Sequence, residues 1–182
     1  NNQFDLAVFV SSGRSKFQAN ELFAESDTST VAMFEIQPKN LLPSIQIGLL
    51  KENDANLGLS GSGAFNSSNG KMTSFLGLSN SLDWMGGKFF SSFYLGNTPS
   101  TQSNTGMIRS SSNIQSSAFG LGFLKSSIFT TNDEIVVSVD QPLRTESGRM
   151  NLRVPVYRDK EKNVLFNSFG FSLNPSGREI NS

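Results

Sequence analysis

The chain has 182 residues, the size of one domain, and its fifteen Lys plus Arg balance fifteen Asp plus Glu in a charged fraction of only 16%, against roughly 25% in ordinary soluble domains. That neutral balance points to neither nucleic acid nor an anionic surface as partner, and the absence of Cys and His excludes disulfides, thiolate metal sites and any Ser-His-Asp triad built within this chain. No run of about 18 apolar residues occurs, so no helix is predicted to cross a membrane, and the opening NNQFDLAVFV, without a basic leader or cleavage signature, reads as a mature fragment or a domain of something longer.

Apolar positions recur with period two, and Gly, Ser, Asn and Asp clusters punctuate them, which predicts strands. The first covers residues 4–10, with Phe4, Leu6, Val8 and Val10 on one face, and the second residues 29–37. Residues 13–27 between them read as a short helix or a loop. A strand follows over 44–51, where Ile45, Ile47 and Leu49 alternate with Gln46 and Gly48 after Pro43. NLGLSGSGAF at 56–65 alternates as a strand, with a turn at Ser67–Gly70. Then come 71–82, with Leu76, Leu78 and Leu82 aligned, a turn at Met85-Gly86-Gly87, and 88–96, with Phe89, Phe93 and Leu95 on one face. NTPSTQSNTG at 97–106 reads as an exposed loop. Further strands cover 114–127, 133–143, 149–158 and 163–174, about ten in all. Short connections without helical periodicity predict an antiparallel meander in a single β domain spanning 1–182.

The faces carry the functional question. Phe119, Leu121 and Phe123 fall on one side of their strand and Ala118, Gly120 and Gly122 on the other. One apolar surface is expected to contain Phe119, Leu121, Phe123, Ile135, Val137, Val139, Phe169, Phe171 and Leu173, with Gly120, Gly122, Ser138, Gly170 and Ser172 opposite. A soluble sandwich normally turns Lys, Glu, Thr and Arg to water. Gly, Ser, Ala and Asn suit a confined polar interior, and the large residues then suit lipid. Two architectures remain: an outer-membrane β-barrel, or most of one, and a soluble β-sandwich acting as an interaction or structural module.

One stretch carries a resemblance. AFGLGFLKSSIFTTNDEIVVSVDQPLRTESGRMNLRVPVYR and, after it, NPSGRE resemble the C-terminal region of bacterial subtilisin-like serine proteases of the autotransporter type. The matching positions are Gln141, Pro142, Leu143 and Arg144, then Ser147 and Gly148, then Val154, Pro155 and Val156, then Pro175, Ser176, Gly177, Arg178 and Glu179. The likeness is strongest over residues 114–179, looser over 44–100 and absent before Pro43. It implies a non-catalytic outer-membrane barrel that anchors a secreted protease at the bacterial cell surface. The implied partners are outer-membrane lipid, the barrel-assembly machinery and a covalently linked protease passenger, with no nucleic acid and no cofactor. Family members continue past the Arg-Glu turn, so closure of the barrel is expected to need further strands.

No catalytic, cofactor-binding or metal-ligating residue is assigned. Asp140, Arg144, Glu146, Arg149, Arg153 and Arg158 are expected to form structural ion pairs, with Asp140 and Arg153 facing one interior and Arg144 pairing with Glu146 or Asp140. Asp133, Glu134, Asp159 and Glu161 are the carboxylates available for glycoside cleavage, but their turn-like settings favour solvated acids. SGSG at Ser60–Gly63 lacks the Lys of a phosphate loop and reads as strand. Trp84, Phe89, Phe90, Phe93 and Tyr94 are candidates for an interfacial aromatic girdle. Pro142 is expected to end the pairing of its strand, so that residues 133–158 form a hairpin turning at Ser147 and Gly148, with Pro155 at a bulge, gap or edge.

Overall fold

The computed structural model describes residues 4–16, 26–39, 42–52, 55–56, 59–60, 71–103, 106–130 and 133–181. These contain thirteen strands and no helix. They are β1 (Phe4–Lys16), β2 (Ser26–Pro38), β3 (Ser44–Glu52), β4 (Ala55–Asn56), β5 (Leu59–Ser60), β6 (Lys71–Trp84), β7 (Gly87–Thr98), β8 (Thr101–Gln102), β9 (Ile108–Ser111), β10 (Ile114–Ser126), β11 (Glu134–Ser147), β12 (Arg149–Arg158) and β13 (Val164–Ser172). Seven form one antiparallel sheet in the order β1-β2-β3-β6-β7-β10-β11, four form a second in the order β13-β12-β9-β8, and β4 pairs with β5. Both larger sheets are open; the wide one has β1 and β11 as its edges.

Alternation and register together build its faces. Directly opposed residues of antiparallel strands share a face, and one row across the wide sheet reads Leu6, Ile36, Ile45, Leu78, Phe93 and Phe119. The next row reads Val8, Phe34, Ile47, Leu76 and Leu95. Nearer the other end Leu82, Phe89, Phe123 and Val137 align, with the polar pair Asn80 and Ser91 as an interruption between rows. The opposite face carries mainly Gly, Ser, Thr and Gln from β3 to β10, with the rings of Phe75, Phe90 and Tyr94 set among them, and turns apolar at Phe9 and Met33.

The two ends of this sheet differ. One carries the connections 39–43, 85–86 and 127–133, and the other carries 17–25, 53–70 and 99–113. The tightest is the Met85-Gly86 pair, with φ of 51° and 72°. Two left-handed residues make a type I′ turn, whose twist matches the flanking strands. Glycine takes that conformation without strain; Met85 does not.

The elements depart from the sequence expectation in several places. Thirteen strands are found among the described residues: β8 lies on ground read as loop, β9 on residues assigned no element, and of the expected 56–65 strand the described residues show only Asn56 in β4 and Leu59–Ser60 in β5. Residues 97–98 end β7 rather than opening a loop. The meander is interrupted twice, since β8–β9 and β12–β13 leave the wide sheet for the second one. The expected 133–158 hairpin does not form: at Gly148 (φ 151°) the chain changes sheet, and β12 pairs with β13 and β9. Pro142 does not end β11 either. Gln141 pairs with Phe119 and Arg144 with Ser117, so Pro142 and Leu143 bulge opposite Ala118, which absorbs the missing donor while pairing resumes beyond it. Pro155 does lie beside a register shift, as expected. Strand ends at Lys16 and Ser26 shorten the predicted helix or loop, and its remainder, the Ser67–Gly70 turn and Gly61–Gly63 lie outside the described residues.

Candidate lipid-facing surface and polar face

The wide sheet inverts the usual distribution of polarity. Its apolar face is in the open: Val8 is 76% exposed and Val137 62%, and the same holds along β3, β6 and β7 at Ile47, Leu76, Leu78, Phe93 and Leu95. Among the described residues, Ile114 is the only hydrophobic side chain that is fully buried, at 1%. Buried instead are Gln46, Glu52, Lys71, Thr73, Thr98, Ser111, Ser116, Ser117 and Gln141. The expected apolar surface holds for Phe119, Leu121, Phe123, Ile135, Val137 and Val139, which share a face through β10–β11 pairing. Phe169 and Phe171 belong to β13, in the other sheet.

The polar face is not empty, and this was illegible in the sequence. Phe75 stands opposite Gly48, Tyr94 opposite Gly77, and Phe90 opposite Gly122. Each ring lies over its glycine: a Cβ on Gly77 would come within 2.5 Å of Tyr94 Cε1, and one on Gly48 or Gly122 would overlap the facing ring. The glycines thus make room for large side chains laid along the sheet. Phe90 and Tyr94 therefore leave the proposed girdle, whereas Trp84, Phe89 and Phe93 remain on the apolar face. Trp84 meets Phe123 edge to face at 6.1 Å at the short-turn end, where Met85 and Phe129 are also exposed.

The charged residues form structural ties. Arg144 Nη1 donates to Glu146 Oε2 at 2.7 Å, Ser117 Oγ donates to Glu146 Oε1 at 2.6 Å, and Arg178 Nη1 donates to Gln141 Oε1 at 2.7 Å. Arg144 also donates to the carbonyls of Pro175 (2.8 Å) and Gly177 (3.2 Å). Gln-Pro-Leu-Arg and Pro-Ser-Gly-Arg-Glu, separated in sequence, therefore meet at the end of β11. The expected Arg144–Glu146 pair is present. Asp140 and Arg153 are not brought together: Asp140 pairs through its backbone with Asn181, and Arg153 lies 4.2 Å from the centre of the Phe166 ring. Arg144→Ala should lower stability by about 1–2 kcal/mol, since a half-buried ion pair and its carbonyl bonds go together. Arg144→Lys should not restore it, because a single ammonium cannot replace the guanidinium fork; urea titration of the variants checks both.

Two of the four acids weighed for glycoside cleavage, Asp159 and Asp133, hold turns. Asp159 accepts from Asn163 N at 2.7 Å and Asn163 Nδ2 at 3.0 Å. Asp133 accepts from Ile128 N at 2.9 Å and Phe129 N at 2.7 Å. Desolvation opposes ionisation of Asp133, but the backbone N–H groups outweigh it and hold the carboxyl below the usual carboxylate range. Its folded pKa lies below the unfolded one, so its contribution to stability is present above the unfolded value and is lost as pH falls through the folded one. Acid titration of the 127–133 turn should show that loss, and Asp133→Asn should remove this pH dependence.

A Ser-Lys pair is the site that sequence reasoning missed. Lys71 Nζ donates to Ser111 Oγ at 3.0 Å, and Thr101 Oγ1 lies 2.9 Å from the same oxygen. Lys71 is 2% exposed and Ser111 3%, so no substrate reaches them as they stand. No protein family, curated protein or solved structure matches the chain.

Proposed function

We propose that the chain is a wall of a membrane-spanning β-barrel. The observation that carries this reading is the inverted polarity of the wide sheet, with an exposed apolar face and a polar face that is buried toward the long-connection end. Its seven strands run from 9 to 14 residues, each long enough for the roughly 9–11 that a tilted strand needs to cross hydrocarbon. Short connections at one end and long ones at the other are the usual arrangement of outer-membrane barrels. The soluble-sandwich alternative requires the apolar face to pack on a second sheet, and its exposure argues against that.

The particular protein we infer is the anchor and translocator region of a secreted subtilisin-like protease at the bacterial outer membrane, itself without catalytic activity. This rests on the resemblance over residues 114–179, where the two motifs converge on Arg144. The barrel's remaining ladder bonds come from strands pairing with the edges of β1 and β11, because an open edge is not tolerated in lipid. Flotation with lipid vesicles, heat-modifiable gel migration and an upstream Asp, His and Ser protease domain in the reading frame are the expected results. A chain that stays monomeric and folded in water without detergent overturns the membrane reading; a membrane protein with no protease upstream overturns only the second step.

A further inference from the structure

Polar side chains of the polar face are most deeply covered at one end. Along β6, Lys71 and Thr73 are buried, Gly77 is buried beneath the Tyr94 ring, Phe75 and Ser79 are half-buried, and Ser81 and Asp83 are exposed. The covered end is the long-connection end, where Glu52, Thr98 and Ser116 are buried as well. There β9, which belongs to the second sheet, brings Ser111 onto Lys71 Nζ at 3.0 Å. Ser111 is held in turn by Thr101 on β8, and Ser112 N bonds Arg149 O on the way into β10.

We propose that β9 is a latched cover over a polar trough, with the Lys71–Ser111 bond as its latch, and that releasing it opens the trough along its whole length to water and small hydrophilic solutes. This rests on the barrel reading insofar as the trough is then part of a water-filled interior. Lys71 stands opposite the buried Glu52, whose carboxylate attracts its ammonium, and the bond to Ser111 ties β9 to that pair, while β9 is otherwise held by short ladders with β8 and β12 and by Asn151 Nδ2, which donates to Ser110 Oγ at 2.9 Å. Such a lightly held element opens at low free-energy cost by comparison with the seven-stranded sheet.

The chain has no cysteine, so single thiols report access cleanly. Thr73→Cys probes the covered end and Ser81→Cys the open end, with a membrane-impermeant maleimide as the reagent, in detergent micelles and in phosphatidylcholine vesicles. Thr73→Cys should label slowly and Ser81→Cys fast. Adding Lys71→Met or, separately, Ser111→Ala should speed labelling of Thr73→Cys about tenfold, the effect of losing one hydrogen bond to a charged group from a local opening equilibrium, and leave Ser81→Cys unchanged. Rapid labelling of Thr73→Cys in the otherwise unaltered chain overturns the cover, and equal rates with and without Ser111→Ala overturn the latch. Should Lys71→Met lose its β circular dichroism, the smaller Ser111→Ala change decides alone. Failure to float with vesicles, with the labelling pattern intact in micelles, counts against the barrel and not against the latch.

Discussion

Leu78→Arg is expected to prevent assembly into lipid, while Ser79→Arg, one residue along the same strand, is expected to be tolerated. Leu78 lies in the apolar row between Ile45 and Phe93. In the proposed barrel a charge there faces hydrocarbon and costs about 2–4 kcal/mol near the bilayer centre. Ser79 points to the polar face, where a long cation reaches water. The check is the folded fraction in vesicles, read by heat-modifiable migration across a urea series. The sign discriminates between architectures: for a soluble sheet with this face in water, Leu78→Arg removes an exposed apolar group and leaves stability within a few tenths of a kcal/mol, with better solubility. A tolerated Leu78→Arg would falsify the lipid-facing assignment.

Gly122→Val carries the second large effect, and its sign runs against propensity. Taken alone, valine suits a strand better than glycine does, by up to about 1 kcal/mol. Here the new side chain would enter the space of the Phe90 ring, which must swing off the sheet. Overpacking of this kind costs about 1–3 kcal/mol, so a net loss is expected. Phe90→Ala should also destabilise, by stripping the ring from the glycine backbone. The double variant should lose less than the two single losses added together, because the clash vanishes with the ring. Equilibrium unfolding of all four proteins measures the coupling, and additive losses would show that the ring and the glycine do not share the space.

The strands themselves were legible, and for a simple reason. Side-chain alternation is a local property with period two, so Leu76, Leu78 and Leu82, or Phe89, Phe93 and Leu95, declare a common face without reference to any partner. Turn chemistry is local too, which is why the Met85-Gly86 reversal could be placed. The ties at Arg144 were half legible: Glu146 is two residues away, whereas the carbonyls of Pro175 and Gly177 come from beyond two further strands. Lys71 gave no signal at all, since its partner Ser111 is one of many serines and lies forty residues on.

By itself, then, the sequence determined an all-β antiparallel chain with one apolar and one small, polar side to its long strands, and no chemistry based on His or Cys. Only the tertiary structure decided which strands share a sheet. The Ser147-Gly148 step suits a hairpin locally, yet β12 joins β9 and β13, because pairing energy depends on distant strands that no local pattern names. It also decided that the glycines of the polar side shelter rings from the next strand. Register alone brings Gly48 to Phe75, Gly77 to Tyr94 and Gly122 to Phe90, and register is a relation between strands rather than a property of either one.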